Sequence, residues 1–286
     1  MLKQLRDNHP YLYCLLSAFL FILCMLLAIN LFASVLNLIG LEAVVQVFRM
    51  EEYLPQGFND LFGFLAALVL LWKTGRLKVL TNRGTGFLDG LLVGMFPFVM
   101  VCLNLGVNLG LSGPPEGAVP KAAWRVVVFL IAMFLIGLAE EAIFRGIIAQ
   151  TLLEHFGTSR AGIWKAVVLS GVIFGMGHFL NVIDSNVLGV LVQCCLTMAL
   201  GMLYGAIYFR TGNLWVVIFL HAFQDTAGLI ESGLYEGLGG VSETVNTYNP
   251  SMLIGVLIYL IPTIFLLRKK RIPEIPLFSP YFSEEK

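Results

Sequence analysis

The sequence predicts an all-α, polytopic membrane protein: a bundle of about eight transmembrane helices with both termini in the cytosol. Of its 286 residues, 58% are hydrophobic and only 13% are charged, and the mean hydropathy is +0.85. A soluble domain is closer to half apolar and a quarter charged. The apolar residues form long runs, and basic residues gather in alternate connections between them. These observations together predict a membrane-embedded bundle.

The apolar runs define the predicted spans. A transmembrane helix needs about 20 mostly apolar residues. Eight segments reach or approach this length: 11–39, 57–73, 87–111, 124–152, 161–181, 187–209, 212–231 and 251–267. The second is short for a span. The first is too long for the apolar region of a cleavable signal peptide, so we interpret it as a retained helix.

The distribution of charge orients the bundle. Cytoplasmic loops are enriched in Lys and Arg. With eight spans, the basic residues fall largely on one side: Lys3, Arg6, Lys73, Arg76, Lys78, Arg83, Arg160, Lys165, Arg210 and the run Arg268–Arg271. The opposite loop 231–250 contains three glutamates and no basic residue. Both termini are therefore predicted to be cytosolic, and the net charge of zero points away from a nucleic-acid partner.

We divide the chain into three units. Residues 1–123 contain transmembrane helices one to three, residues 124–231 contain helices four to seven, and residues 232–286 contain an outer loop, the last helix and a short cytosolic tail expected to have little structure. An amphipathic segment near residues 41–52 predicts an interfacial helix on the outer surface. Its apolar face comprises Leu41, Val44, Val45 and Phe48.

Glycine spacing suggests which helices pack closely. Gly171 and Gly175 are four residues apart in span five, and Gly201 and Gly205 are four apart in span six. This small-xxx-small pattern permits close approach of two membrane helices. Glycine is also common in membrane helices generally, so the pattern leaves both interpretations open.

Ionisable residues inside the spans are the strongest functional signal. Each one costs about 2.5–3.5 kcal/mol at the bilayer centre, and such residues persist where they face a cavity or one another. Span four carries Glu140, Glu141 and Arg145, span five carries His178, and span seven carries His221 and Asp225. At 1.5 Å per residue, Glu140, His178, His221 and Asp225 lie about 18, 22–25, 13 and 20 Å from the cytosolic ends of their spans. This similar depth predicts one shared polar site.

Spacing along each helix suggests how these residues divide their roles. Glu141 and Arg145 are four residues apart, so they share a helix face and can pair. Glu140 is rotated by about 100° from Glu141 and can point into the bundle. His221 and Asp225 are also four apart, so they can bond to each other or face one bound species.

Three chemistries suit such a site. Imidazole nitrogen and carboxylate oxygen are zinc ligands. Without a metal, Glu140 can act as general base on water while His221 stabilises an oxyanion. Proton or ion transport also uses intramembrane Glu, His and Asp. Taken singly, each motif has a structural explanation: an ion pair, an interhelical hydrogen bond, and packing for Phe174. Their combination favours a functional site.

The three segments together resemble the CAAX protease and bacteriocin-processing family, also called CPBP or Abi, which includes the type II CAAX prenyl endopeptidases. The family pattern is E-E-x-x-x-R, then F-x-x-x-H, then H-x-x-x-[N/D]. This chain has Glu140–Arg145, Phe174–His178 and His221–Asp225 in that order. The resemblance covers residues 124–231, identified as the catalytic core, and implies an intramembrane endopeptidase.

The resemblance also implies residue roles. Glu140 would activate water, His178 would help to hold that water or a metal, and His221 with Asp225 would bind a metal or steady the oxyanion. Glu141, Arg145 and Phe174 would shape the site. Many prenyl proteases have Asn where this chain has Asp225, and the added negative charge would favour a bound cation or a shared proton. The family is described as metallopeptidase, which makes Zn²⁺ the implied cofactor, but its mechanism can also be written without a metal.

The expected substrate is a membrane-associated peptide or protein, either prenylated as in eukaryotic CAAX proteases or related to bacteriocins as in prokaryotic relatives. Short loops and the absence of an organelle-targeting region favour a prokaryotic plasma membrane. A non-catalytic membrane partner or bacteriocin self-immunity protein on the same fold is the alternative. A transporter is less favoured because no paired discontinuous helices are evident in the sequence.

Overall fold

Apolar segments in lipid must satisfy their backbone hydrogen bonds internally, and in this chain they do so as helices. The structure, a computed structural model, describes residues 1–111 and 113–282. Within these residues the helices are joined by turns, and β-type pairing is limited to one bridge between Pro120 and Tyr235. The predicted all-α, polytopic helical fold is confirmed.

The first half of the bundle contains seven α-helices. They are α1 (Leu2–Asn8), α2 (Pro10–Leu38), α3 (Glu42–Met50), α4 (Tyr53–Lys73), α5 (Lys78–Thr81), α6 (Phe87–Val93) and α7 (Met95–Gly106), the last continued by a π-helical segment, Val107–Leu111. Pro10 occupies the first turn of α2. Proline is tolerated there because its missing N–H would have no partner within the helix.

The second half contains the helices that carry the sequence motifs. They are α8 (Ala123–Glu141), a π-helical segment (Ala142–Ala149), α9 (Gln150–Phe156), α10 (Arg160–Gly177), a 3₁₀ segment (His178–Ile183), α11 (Val187–Thr211), α12 (Leu214–Gly228), α13 (Ile230–Leu234), α14 (Val241–Asn246), a 3₁₀ segment (Pro250–Leu253), α15 (Ile254–Leu266), a 3₁₀ segment (Lys269–Glu274) and α16 (Ile275–Phe278). Side chains of Ser159, Asn186 and Asn213 cap the N-termini of α10, α11 and α12.

Each predicted span contains a helix, but their lengths differ. Among the described residues, five helical stretches are long and apolar enough to cross a membrane, and the number rises to seven if each of two bent pairs is one span. The predicted span 87–111 is one such pair, because α6 and α7 meet at an 82° bend. The predicted span 212–231 is occupied by α12, which has 15 residues. The count of eight and the cytosolic placement of the termini stay predictions.

One large apolar core joins all three predicted units. It includes Phe21 from α2, Ile143 from the π-helical segment and Ile275 from α16. The unit boundaries therefore stay predictions. The predicted amphipathic segment forms α3, where Phe48 packs against Phe32 and Phe58. Its location on the outer membrane surface is likewise still a prediction.

The C-terminal tail is structured as far as residue 282, and there the expectation of little structure was wrong. Ile275 is fully buried in the main core. Asn82 Nδ2 donates to the Phe278 carbonyl at 2.9 Å, and Arg210 forms a 2.7 Å ion pair with Glu274. Of the prolines that suggested an irregular tail, Pro273 lies inside the 3₁₀ segment and Pro276 occupies the first turn of α16, where proline is tolerated.

Two pairs of helices approach closely where one of them has glycine. A Cβ atom on Gly171 of α10 would lie 2.9 Å from the Met198 carbonyl oxygen of α11. One on Gly137 of α8 would lie 2.9 Å from the Ile218 carbonyl oxygen of α12. The close packing of spans five and six that the glycine spacing suggests is present. The contact of α8 with α12 matters more for the site, because it sets Glu141 beside His221.

We expect Gly175→Ala to destabilise the protein and Gly205→Ala to have little effect. A Cβ atom on Gly175 would lie 2.7 Å from the Cys194 carbonyl oxygen, whereas one on Gly205 would have its nearest contact at 3.8 Å. Overpacking of this kind costs about 1–3 kcal/mol. Thermal unfolding of both variants in detergent would measure the difference, and equal stabilities would contradict the close approach of α10 and α11.

Candidate active site

The first motif lies where α8 changes to a π-helix. The α-helix ends at Glu141, and the next eight residues, Ala142–Ala149, have π-helical hydrogen bonding. Such wider turns are rare and occur frequently at functional sites. Every residue of this segment is buried. The helical register therefore changes between Glu141 and the residues that follow it, inside the protein.

Glu141 is the centre of a buried polar network. Its Oε1 accepts hydrogen bonds from Arg145 Nη1 and from His221 Nδ1, both at 2.7 Å. Glu141 and Arg145 are 0% and 1% exposed. Arg145 also donates from Nη2 to the Gly201 carbonyl at 3.2 Å, which links the π-helical segment to α11. One carboxylate thus holds an ion pair and fixes the orientation of an imidazole ring.

The other imidazole nitrogen faces two further carboxyl groups. His221 Nε2 lies 3.7 Å from Glu140 Oε2 and 3.5 Å from Asp225 Oδ2. His221 is 5% exposed, whereas Glu140 and Asp225 are 19% and 27% exposed. Glu140 Oε2 itself is buried and has no hydrogen-bond partner in the described part of the chain. His221 is therefore buried and held in place, whereas the part of the site formed by Glu140 and Asp225 is more exposed.

Phe174 packs between the charged and aromatic members of the site. Its ring centroid is 4.4 Å from the Arg145 guanidinium carbon, and its ring meets those of His178 and His221 edge-on at 5.0 and 5.8 Å. His178 Nδ1 lies 3.2 Å from the Phe174 carbonyl oxygen, which accepts a hydrogen bond from it when Nδ1 carries the proton. His178 also interacts electrostatically with His221 and Asp225. Phe174 thus fixes the relative positions of the two histidines.

The structure brings all seven sequence-predicted site residues together. Their arrangement differs from the expected one in one respect: Glu141 does more than neutralise Arg145, since it also binds His221. The spacing between Glu141 and Arg145 indicates a pair along one helix, but the His221 contact spans 80 positions. Only the packing of α8 against α12 creates it. Asp225 and His221 are near each other, as their spacing on one helix allows.

Two nearby residues have no counterpart in the sequence prediction. Asp60 of α4 is fully buried and interacts electrostatically with Glu140, Asp225 and His221. Tyr204 of α11 is fully buried, has its ring centroid 5.6 Å from that of His221, and donates to the Leu220 carbonyl at 3.3 Å. A carboxyl residue inside the apolar run 57–73 was the available signal for Asp60. Tyr204 carries no such signal, because an aromatic residue is common in membrane helices.

The donor types of the site suit zinc, but their placement does not form a ligand set. Nitrogen from two histidines and oxygen from two carboxylates are donors that zinc accepts. In the described residues, however, no group of three His, Cys, Asp or Glu side chains is placed to hold a metal ion. One candidate donor, His221 Nδ1, is already hydrogen-bonded to Glu141, which leaves His221 only Nε2 as a metal ligand.

Comparisons with known proteins identify relatives of this site. Residues 122–227 match the Rce1-like family, described as type II CAAX prenyl endopeptidase Rce1-like. The matched region contains all three motifs and lacks Asp60. The chain is also 26% identical over 185 residues to the Bacillus subtilis (strain 168) protein named "Putative membrane peptidase YdiL", which covers 60% of this chain and 70% of that protein. The family resemblance of the three motifs is confirmed.

We expect Glu141→Gln to destabilise the protein much more than Glu140→Gln. Loss of the Glu141 charge leaves Arg145 buried without its partner, a change that typically costs about 3–5 kcal/mol. Glu140 has no ion pair shorter than its 3.7 Å approach to His221, so its replacement should change stability by less than about 1 kcal/mol. Unfolding of both variants in detergent tests this. A Glu141→Gln protein as stable as the wild type would refute the central role of Glu141.

Proposed function

We propose a specific reaction for this multi-pass membrane protein, whose residues 122–227 match the type II CAAX prenyl endopeptidase Rce1-like family. It is an intramembrane endopeptidase that hydrolyses a peptide bond with water activated by Glu140. The observation that carries this proposal is the free Glu140 carboxylate oxygen beside His221 Nε2, whose ring is held by Glu141.

Glu140 is suited to be the general base. A carboxylate within hydrogen-bond reach of a water molecule can take its proton as the water oxygen attacks the peptide carbonyl carbon. The neighbouring Glu141 is less suited, because its carboxylate is paired with the Arg145 cation and its Oε1 accepts hydrogen bonds from Arg145 and His221. After the tetrahedral intermediate forms, the proton held by Glu140 passes to the leaving nitrogen as the C–N bond breaks. The two adjacent glutamates thus have different roles because they have different partners.

His221 is suited to steady the oxyanion. A carboxylate accepts, so His221 Nδ1 carries the proton shared with Glu141, and Nε2 is the nitrogen that faces the reacting groups. When Nε2 is protonated as well, it can donate a hydrogen bond to the negatively charged oxygen of the intermediate. The Glu141 contact keeps the ring from rotating away. His178 and Asp225, on the more exposed side, would hold the attacking water or the substrate.

The placement of the side chains favours a mechanism without a metal. If zinc were bound, His178, His221, Glu140 and Asp225 would be its candidate ligands, and the metal would supply a Lewis acid for the carbonyl oxygen. These groups do not form a three-ligand set in the described residues. Each step above therefore uses only side chains that the site contains in position, and the glutamate-water mechanism needs no further donor.

The proposed substrate is a membrane-associated peptide or protein. Two of the three helical stretches that carry the site residues, Ala123–Phe156 and Arg160–Ile183, are long and apolar enough to cross a membrane, so the scissile bond must reach the site from the membrane or its surface. The type II CAAX family makes a prenylated C-terminal peptide the first substrate to test. We place the enzyme in the plasma membrane of a prokaryotic cell.

Replacing Glu140 with Gln should abolish peptide cleavage while leaving the protein folded. Glutamine has the size of glutamate and cannot take a proton from water, and loss of such a base reduces the rate about 10²–10⁴-fold. Cleavage of quenched fluorescent peptides, with and without a prenylated cysteine, by wild-type and Glu140→Gln protein in detergent measures this. Asn104→Ala, a change of an exposed polar residue on α7, provides the control.

Cleavage by the Glu140→Gln variant at the wild-type rate would rule out this assignment. Equal inactivity of both proteins on all peptides, together with a biological effect that Glu140→Gln retains, would favour a non-catalytic membrane partner or self-immunity protein. Pull-down with the variant would then identify what it binds.

A strong zinc chelator should leave cleavage unchanged, because the proposed steps use no metal. Purified protein would be incubated with the chelator, passed through a desalting column and assayed on the cleaved peptide. Metal content would be measured in the same sample. Loss of activity that returns with added Zn²⁺, and not with Mg²⁺, would show that the ligand groups rearrange around zinc and would replace this mechanism.

A further inference from the structure

Helix α11 carries none of the three sequence motifs, yet one of its faces lines the site. Gly201 and Tyr204 are three residues apart and therefore share that face. The Gly201 carbonyl accepts the 3.2 Å hydrogen bond from Arg145 Nη2, and a Cβ atom on Gly201 would lie 2.8 Å from the Phe174 ring. Helix α11 therefore contacts the first two motifs about one turn before Tyr204.

Tyr204 makes three contacts at the site. Its ring centroid lies 5.6 Å from that of His221, with the two ring planes tilted by 44°. The Arg145 guanidinium carbon lies 5.6 Å from the Tyr204 ring centroid and 4.4 Å from that of Phe174, so two aromatic rings flank this cation. The Tyr204 hydroxyl donates at 3.3 Å to the carbonyl of Leu220, the residue before His221. One side chain therefore contacts both the first and the third motif.

The aromatic contacts add a constraint that the hydrogen bond from Glu141 does not supply. That bond fixes Nδ1 of the His221 ring, whereas the position of Nε2 also depends on the tilt of the ring plane. Phe174 meets this ring edge-on at 5.8 Å and Tyr204 lies 5.6 Å from it, so the two aromatic rings limit the tilt. Reacting groups have to be held within about 0.5 Å and 10–20° of the productive geometry. Tyr204 therefore helps to decide where Nε2 points.

We propose that Tyr204 is a positioning residue for peptide hydrolysis, which holds the His221 ring and the Arg145 guanidinium in place. This inference rests on the proposed function. The aromatic ring carries the role, because both groups contact the ring: a cation is attracted to its face, and a second ring packs against it. The hydroxyl group only orients the ring through its bond to Leu220. Tyr204 is 0% exposed, so it acts through its neighbours and does not contact the substrate.

The decisive pair of variants is Tyr204→Leu, which removes the ring and keeps an apolar side chain, and Tyr204→Phe, which keeps the ring. We expect Tyr204→Leu to lower kcat at least about tenfold, because a misplacement of about 1 Å can cost as much as about 10²-fold. KM should stay within about twofold, since a residue that does not contact the substrate contributes little to its binding. Tyr204→Phe should restore kcat to within about twofold of the wild-type value.

Tyr208→Leu is the matched control. Tyr208 lies one turn nearer the end of α11 and is 1% exposed, so this variant removes an equally buried tyrosine ring from the same helix. Its hydroxyl donates to Gln150 Oε1 at 3.5 Å, and its ring contacts that of Phe209. We expect Tyr204→Leu and Tyr208→Leu to lower the unfolding temperature in detergent to a similar extent, while Tyr208→Leu keeps the wild-type kcat and KM.

The assay uses full-length protein in detergent and the peptide on which wild type and Glu140→Gln have been compared. A wild-type kcat for Tyr204→Leu, or a raised KM with kcat unchanged, overturns the positioning role and leaves the proposed function intact. Equal losses of kcat in Tyr204→Leu and Tyr208→Leu also overturn it, since they would reflect a general effect on α11. A Tyr204→Phe protein as slow as Tyr204→Leu overturns the role of the ring. Full activity of Glu140→Gln rejects the proposed function, and the role of Tyr204 in hydrolysis with it.

A further variant decides the case in which Tyr204→Leu does not fold. Tyr204→Met also removes the ring, and the flexible methionine side chain fills irregular gaps in a core. We expect the same fall in kcat of at least about tenfold, again with KM within about twofold. A folded Tyr204→Met protein with wild-type kcat and KM would overturn the proposal.

Discussion

Glu141 carries two charge-assisted hydrogen bonds in the interior of the bundle, and the arrangement of the site depends on them. Its Oε1 binds Arg145 from the same helix and His221 from a distant one. A buried charge without its partner is strongly destabilising, so each member of this network requires the others. The network therefore connects the stability of the bundle to the orientation of the ring that faces Glu140.

Backbone proximity makes these side-chain contacts possible. Gly137 lies where α8 meets α12, and Gly201 lies where Arg145 contacts α11. A Cβ atom at either position would be within 3 Å of a neighbouring atom. Membrane helices gain little from burying apolar surface against one another, so close packing and polar contacts contribute much of their association. In this protein the same close contacts that hold the helices together also assemble the site.

Glu140 and Glu141 contribute differently to the site because their ion-pair and hydrogen-bond partners differ. Glu140 and Glu141 are adjacent in sequence and each has one buried oxygen without a partner in the described residues, yet only Glu141 is also bonded to a cation and an imidazole. A carboxylate that is paired with a cation is a weaker base, because the pairing stabilises its charged form. A carboxylate without such a partner takes up a proton more readily. Asp60 extends this pattern to α4, where a glutamine holds one oxygen and leaves the other free.

The sequence by itself determined the helical membrane fold, the six ionisable residues of the candidate site and the family resemblance of its three motifs. Apolar runs in lipid permit few structures, and charged residues persist there where they face a cavity or one another. It also indicated the Glu141–Arg145 pair, a contact within one helix. The tertiary structure decided what lies between helices: the Glu141–His221 bond, the nearness of Asp60, the bend between α6 and α7, and the ordered tail. Periodicity shows which residues share a helix face, but the partner of that face depends on how the whole chain packs.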